Sequence, residues 1–194
     1  MHNPRSTLFN LFVVAALAAG AIPAAAQSVL YDKSRITCVS RQMNVPVEAR
    51  FKKFSAQITF DPGRPAAGAA RIEIELDSFD IDNAEVNDEA RGKQWFDAHN
   101  FPKATFVAGS IKPLGGGKFE VRGPLTIKGR TNEVVTPFTY KEEAGAAIYD
   151  GTFAIKRLQY NIGEGAWKDT DTVADEVQIK FHIAVAAAKA PAKK

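Results

Sequence analysis

Apolar residues recur along this chain with a period of two, which is the spacing of a strand with one buried face. Phe54, Ala56, Ile58 and Phe60 alternate with Ser55, Gln57 and Thr59. Ile72, Ile74 and Leu76 alternate with Arg71, Glu73, Glu75 and Asp77, and Phe119, Val121, Leu125 and Ile127 repeat the pattern around Gly123. The longest run is Val177, Ile179, Phe181, Ile183 and Val185. Counting runs between turn signals predicts about eight strands: Tyr31–Ser40, Val45–Phe60, Arg71–Asp77, Lys103–Lys112, Lys118–Ile127, Asn132–Glu142, Ala146–Lys156 and Glu176–Val185. The segments DPGRPAAG, PLGGG, KGR and EAG between them are rich in turn formers, and such short links make neighbouring strands antiparallel. Pro137 cannot donate to a ladder and is expected at an edge or a bulge.

The segment Asn83–His99 breaks the alternation. There Ala84, Val86, Ala90, Trp95 and Phe96 can share part of a helical face, with Asp82 or Asn83 as N-cap. Pro102 returns the chain to extended backbone. An antiparallel sheet of this size closes into a barrel or folds over as a sandwich. The sandwich of immunoglobulin type carries a Cys, Trp, Cys pattern, and Cys38 is the single cysteine here. The fold class expected is therefore all-β, an antiparallel eight-stranded barrel with one short helix near a mouth. At eight strands a barrel interior is just wide enough to be filled by side chains or to hold one small ligand.

Composition adds location. Residues 1–26 hold Arg5, an apolar run from Leu8 to Ala19, and Ala24, Ala25 and Ala26 ahead of Gln27, which predicts a secretory leader cleaved after Ala26. The run is too short for a membrane span, and nothing later approaches the roughly 20 apolar residues a span requires. An exported, periplasmic protein is expected, with a domain at 27–185 and a basic tail at 186–194. The formal charge of +3 falls by one when Arg5 is removed, and Lys189, Lys193 and Lys194 put the remaining excess in the tail. No clustered basic face points to nucleic acid. A lone cysteine has no partner for a disulfide within the chain.

Chemistry-bearing residues are sparse. Outside the leader only His99 and His182 are histidines, and His182 is on the opposite strand face from Phe181 and Ile183. No closely spaced ligand pair points to a metal, and DIDNAEVND lacks the glycine and closing glutamate of a calcium loop. GEGAW (Gly163–Trp167) is too short to cradle phosphate and reads as a loop at a barrel rim. No catalytic group, metal or cofactor is expected.

Four stretches in order, SFDIDNAEVNDEARGKQWFDAHNFPKATF (Ser78–Phe106), GPLTIKGRTNEVVTPFTY (Gly123–Tyr140), RLQYNIGEGAW (Arg157–Trp167) and VADEVQIKFHIAV (Val173–Val185), resemble the YceI-like family of polyisoprenoid-binding or lipid-binding periplasmic proteins. The resemblance runs from about Val29 to Val185. It implies a lipocalin-like barrel whose apolar interior holds a long isoprenoid or fatty-acyl chain. In one departure, the His-Gly pair that many members carry after the first strand is replaced by Arg41, Gln42, Met43 and Asn44. A role for that histidine at a ligand head group is not carried over.

In such a barrel Trp95, Phe96 and Phe101 would plug or roof one mouth; alternatively they cap an ordinary core. Strand parity makes Phe54, Ile58, Phe60, Ile72, Ile74, Leu76, Phe106, Phe119, Val121, Leu125, Phe138, Phe153, Ile179 and Phe181 the candidate lining residues. Two functions stay open. One is a periplasmic carrier or sequestering protein for a long-chain amphiphile. The other is a filled barrel that acts as the partner of an envelope protein; a homodimer is compatible with both.

Overall fold

A computed structural model describes residues 28–186. The expected leader (1–26) and the tail beyond residue 186 lie outside the described residues.

Eleven strand segments form one strongly curled antiparallel sheet: β1 (Arg35–Gln42), β2 (Val45–Phe51), β3 (Phe54–Thr59), β4 (Ala69–Glu75), β5 (Phe79–Asp80), β6 (Lys103–Val107), β7 (Ser110–Gly115), β8 (Lys118–Ile127), β9 (Arg130–Glu143), β10 (Ala146–Lys156) and β11 (Glu176–Ala186). The order is β3-β4-β6-β8-β9-β10-β11-β1-β2-β5, with β7 also on β8. β3, at one end of this order, and β2, next to the other end, belong to one kinked run that passes through Lys52 and Lys53. Hydrogen bonds carry the pairing across the kink, from the Lys52 N–H to the Ser78 carbonyl (3.1 Å) and from the Glu75 N–H to the Lys53 carbonyl (3.0 Å). The pairing circuit thus returns on itself at β2, which has β1 on one side and β5 on the other, while β3 keeps an unpaired edge.

Eight expected strands become eleven segments for local reasons. The run Val45–Phe60 breaks at the kink, and β4 passes through a 3-10 turn (Leu76–Ser78) into β5. Registers Phe106↔Leu125 and Ser110↔Arg122 differ by one residue, so a bulge separates β6 from β7. Gly123 sits opposite it, where an added Cβ would lie 2.0 Å from the Val107 carbonyl oxygen, so only glycine allows the strands to approach. At the N-terminal end, Tyr31–Lys33 forms a 3-10 turn and the strand begins only at Arg35, not at Tyr31. Pro137 lies inside β9, and the β9–β10 ladder stops beside it at Phe138↔Gly151.

Alternation holds where it was legible. Phe119, Val121, Leu125 and Ile127 of β8 and Val134 and Phe138 of β9 are all buried inside the curl. On the outer face Leu30 packs on Ala146, Ile148 and Ala184. The helix α1 (Ala84–Arg91) is capped by Asn83, whose side chain accepts from the Val86 N–H. It ends at Gly92, so Trp95 and Phe96 lie beyond it. They are held instead by turn bonds, Trp95 N–H to Gly92 O and Phe96 N–H to Ala90 O, both 3.0 Å.

Candidate functional site

The inward faces of the strands enclose one elongated cavity of about 620 Å³. One end is shut by rings: Phe60 meets Phe119 at 5.0 Å, Tyr140 at 5.3 Å and Phe138 at 5.6 Å between centroids, and Tyr149 meets Tyr140 at 5.4 Å. This aromatic floor lies at the end where β3, β9 and β10 turn. The mouth lies at the other end. Its rim is formed by Glu85, Val86 and Glu89 of α1, by Gln42 and Met43 at the β1–β2 turn, and by Trp167, Thr172 and Val173. Met43 is 77 % exposed and has a positive φ of 48°, so the turn presents a bare apolar side chain at the rim.

Two buried cations fix the loops around that mouth. Arg157 is 2 % exposed and all five of its N–H groups are used: Nε on Ala174 O, Nη1 on Ile162 O and Gly163 O, and Nη2 on Trp167 O and Val173 O. Burial pushes its pKa below the ordinary arginine value, opposed by nearby Asp175. Gly163 is required there, since it has a φ of 80° and an added Cβ would fall 2.1 Å from Nη1. Lys128, at the β8–β9 turn, donates to Lys93 O (2.8 Å), Asn161 O (2.8 Å) and Glu164 Oε2 (2.9 Å). That bond holds the Glu164 carboxyl below the usual range. Trp95 and Trp167 meet at 5.4 Å between these clamped segments.

The structure brings most of the expected lining residues onto the cavity wall. Ile58, Phe60, Ile72, Ile74, Leu76 and Phe106 lie on it from β3 to β6, and Val121, Leu125, Phe138, Phe153, Ile179 and Phe181 from β8 to β11. Trp95 and Phe96 join them beneath the mouth, Phe96 against Phe51 and Phe79. Three lie elsewhere. Phe54, first after the kink, stacks edge-on against Tyr31 at 5.5 Å, off the cavity. Phe119 stands within the floor behind Phe60 and Phe138. Phe101 packs over Gly129 at the β8–β9 turn, and its part in a roof is withdrawn because the turn after α1 carries it outward.

Sequence reasoning missed Phe51, Phe79, Ile81, Tyr149 and Trp167, all on the wall. Trp167 was visible in GEGAW as a lone aromatic, which carries no period. Cys38 lies on the wall too, and burial pushes its thiol up to about 12, the state of an inert buried hydrophobe. His182 is on the outer face, its Nδ1 2.5 Å from Asp150 Oδ1. Among the described residues no group of three His, Cys, Asp or Glu could hold a metal ion. No helix among them is long and apolar enough to cross a membrane. What this arrangement does chemically is take apolar surface out of water.

The family model for the YceI-like domain matches residues 28–185, which is the whole described barrel. The chain belongs to the YceI-like family. Within it, a UPF0312 protein of Vibrio cholerae is 32% identical over 89 residues, 46% of this chain and 47% of that one, and the match spans about half that relative's length. A UPF0312 protein of Shewanella oneidensis is 28% identical over 131 residues, 66% of this chain and 69% of its own. Among solved structures, Burkholderia cenocepacia BcnA has a TM-score of 0.79 at 50% identity, over 81% of this chain and 99% of its own. A polyisoprenoid binding domain from Saccharophagus degradans, implicated in plant cell wall breakdown, has a TM-score of 0.68 at 18% identity, over 84% of this chain and 99% of that one, a likeness of fold alone.

Proposed function

We propose that this protein binds a long-chain amphiphile of polyisoprenoid or fatty-acyl type in the barrel interior, and carries or sequesters it in the periplasm after export. The observation that carries this reading is the apolar cavity of about 620 Å³, open at the α1 end and shut by aromatic rings at the other. A molecule with an apolar body would bury its length against β3 to β11 and leave a polar head among Glu85, Glu89 and Gln42 at the rim. A fold shared with a structure described as a polyisoprenoid binding domain supports the ligand class. A filled barrel serving an envelope protein would need its own side chains to occupy that volume.

The test is extraction of the protein purified from a periplasmic fraction, with mass spectrometry of the organic phase. One lipid per chain, and uptake of cis-parinaric acid by the stripped protein, are expected. An empty extract together with no uptake of cis-parinaric acid, farnesol or undecaprenol would overturn the reading. Intact mass beginning at Gln27 checks the route; a full-length chain in the cytoplasm would refute it.

A further inference from the structure

The rings that shut the cavity stand in two ranks. Phe60, Phe138 and Tyr149 lie on the cavity wall, and Phe119 and Tyr140 pack against them from off the wall. Phe60 joins the ranks. Its ring meets Phe119, Tyr140, Phe138 and Tyr149 edge-on at 5.0, 5.3, 5.6 and 5.9 Å between centroids, and no other ring of the floor meets all four of its fellows. Edge-to-face contacts of this kind stabilise beyond the area they bury, so the ring is a firm stop.

Its place in the chain also sets it apart. The β3–β4 ladder ends at Thr59↔Ala69, one residue before Phe60, so side-chain packing holds this ring and no ladder bond depends on it. Gly68 leaves the space the ring uses, since an added Cβ there would fall 3.0 Å from Phe60 Cδ2. Phe138 and Tyr149 are buried, whereas Phe60 is half-buried. Of the three rings on the wall it can therefore be trimmed or enlarged with the least loss of core.

A chain entering tip first gains by burial with every methylene until the tip meets the floor. Further carbons stay in water at the mouth, beside Met43 and Glu85, and gain nothing. At roughly the 30 Å³ that a water molecule takes up in the liquid, a cavity of about 620 Å³ holds ~20 heavy atoms.

We infer that Phe60 is the specificity-determining residue for chain length, the stop that limits the buried part of the ligand to about 20 carbons. This rests on the cavity being a lipid site and adds to it a ruler with a named end.

The experiment displaces cis-parinaric acid from stripped protein with saturated fatty acids of 10 to 22 carbons, in wild type, Phe60→Ala and Phe60→Trp. Wild-type affinity is expected to tighten by about fourfold per methylene up to a break near 20 carbons and to stay flat beyond it. Phe60→Ala removes six ring carbons, and with partial relaxation of the walls the break should move up by about two to four carbons. Phe60→Trp should move it down. Phe153→Leu, a wall change among the residues packed toward Trp95, should weaken every acid alike and leave the break where it was. Acids that bind with no break, or a break that both Phe60 variants leave in place, overturn the inference; should Phe60→Ala fail to fold, Phe60→Trp decides alone. If no acid binds wild type, the lipid-site reading itself fails and takes the inference with it.

Discussion

The guanidinium carbon of Arg157 lies 5.8 Å from the centroid of the Trp95 ring. One buried cation thereby joins the loop Ile162–Val173, through its carbonyls, to the indole beneath the mouth. Arg157→Leu leaves five carbonyls without their donor and should cost about 3–5 kcal/mol in urea unfolding. Tryptophan emission should shift as Trp95 and Trp167 separate. A variant as stable as wild type would show that water replaces the cation freely.

Trp95→Ala separates gating from folding. Trp95 stands below the rim beside Trp167, so its loss opens the mouth more than it empties the core. The off-rate of bound cis-parinaric acid should rise by more than the melting temperature falls. A collapse of stability at unchanged off-rate would make Trp95 a core residue only.

Asp80 controls acid stability. Its carboxylate takes Lys52 Nζ at 2.9 Å, Asn87 Nδ2 at 3.0 Å and Arg50 Nη2 at 2.6 Å, and the lysine first, then the amide and the arginine, hold its pKa well below the usual range. A depressed folded pKa contributes stability that is complete above the ordinary carboxylate value, roughly pH 4, and is lost as pH falls below it. Melting curves from pH 7 to pH 2 should therefore slope less steeply below pH 4 in Asp80→Asn. Parallel curves would rule out this residue as the source.

Ile179 tests whether the interior has room. It lies on the cavity wall, where a larger side chain can displace ligand volume rather than its neighbours. Overpacking a filled core typically costs about 1–3 kcal/mol, and Ile179→Phe in the stripped protein should cost less than that range. Native mass spectrometry should find less lipid per chain. Gly151→Ala is the converse case: its Cβ would fall 2.2 Å from Phe181 Cζ and 2.9 Å from the Pro137 carbonyl oxygen. With backbone on one side and the ring on the other, it should destabilise by about 1–3 kcal/mol.

Cys38 should resist alkylation. Its thiol is buried on the wall and pushed up to about 12, so it stays protonated at pH 8 and should react with iodoacetamide only after unfolding. Rapid labelling of the native protein at pH 8 would contradict this environment.

Strand parity made the barrel legible, because Val177 to Val185 and Phe119 to Ile127 alternate without interruption and each has one face to bury. Phe54 keeps the inward parity of Ala56 and Ile58 and packs against the core, but at the first position after the kink it meets Tyr31 rather than the cavity. Strand parity passed over Tyr149 because Ala146, Ala147, Ile148 and Tyr149 are buried in succession, two facing inward and two under Leu30, which erases the period. Reading Trp95 and Phe96 onto part of the helical face of Ala84, Val86 and Ala90 draws the helix too long, because the chain leaves the helix at Gly92 and turn bonds hold both aromatics beyond it. Arg157 reads in sequence as one more surface charge; its burial depends on carbonyls from residues five to seventeen positions later.

Val29 bridges Val185, and the Ala186 N–H donates to the Ser28 carbonyl at 2.8 Å, so the described chain enters and leaves the barrel side by side at the pole of the aromatic floor. Whatever is joined at either point, a fluorescent label, an affinity handle or a solid support, is attached at the pole opposite Glu85 and Met43. A sensor tethered there would present an unobstructed mouth to solution, and a short linker between Ser28 and Ala186 would permit new termini at another turn of the barrel.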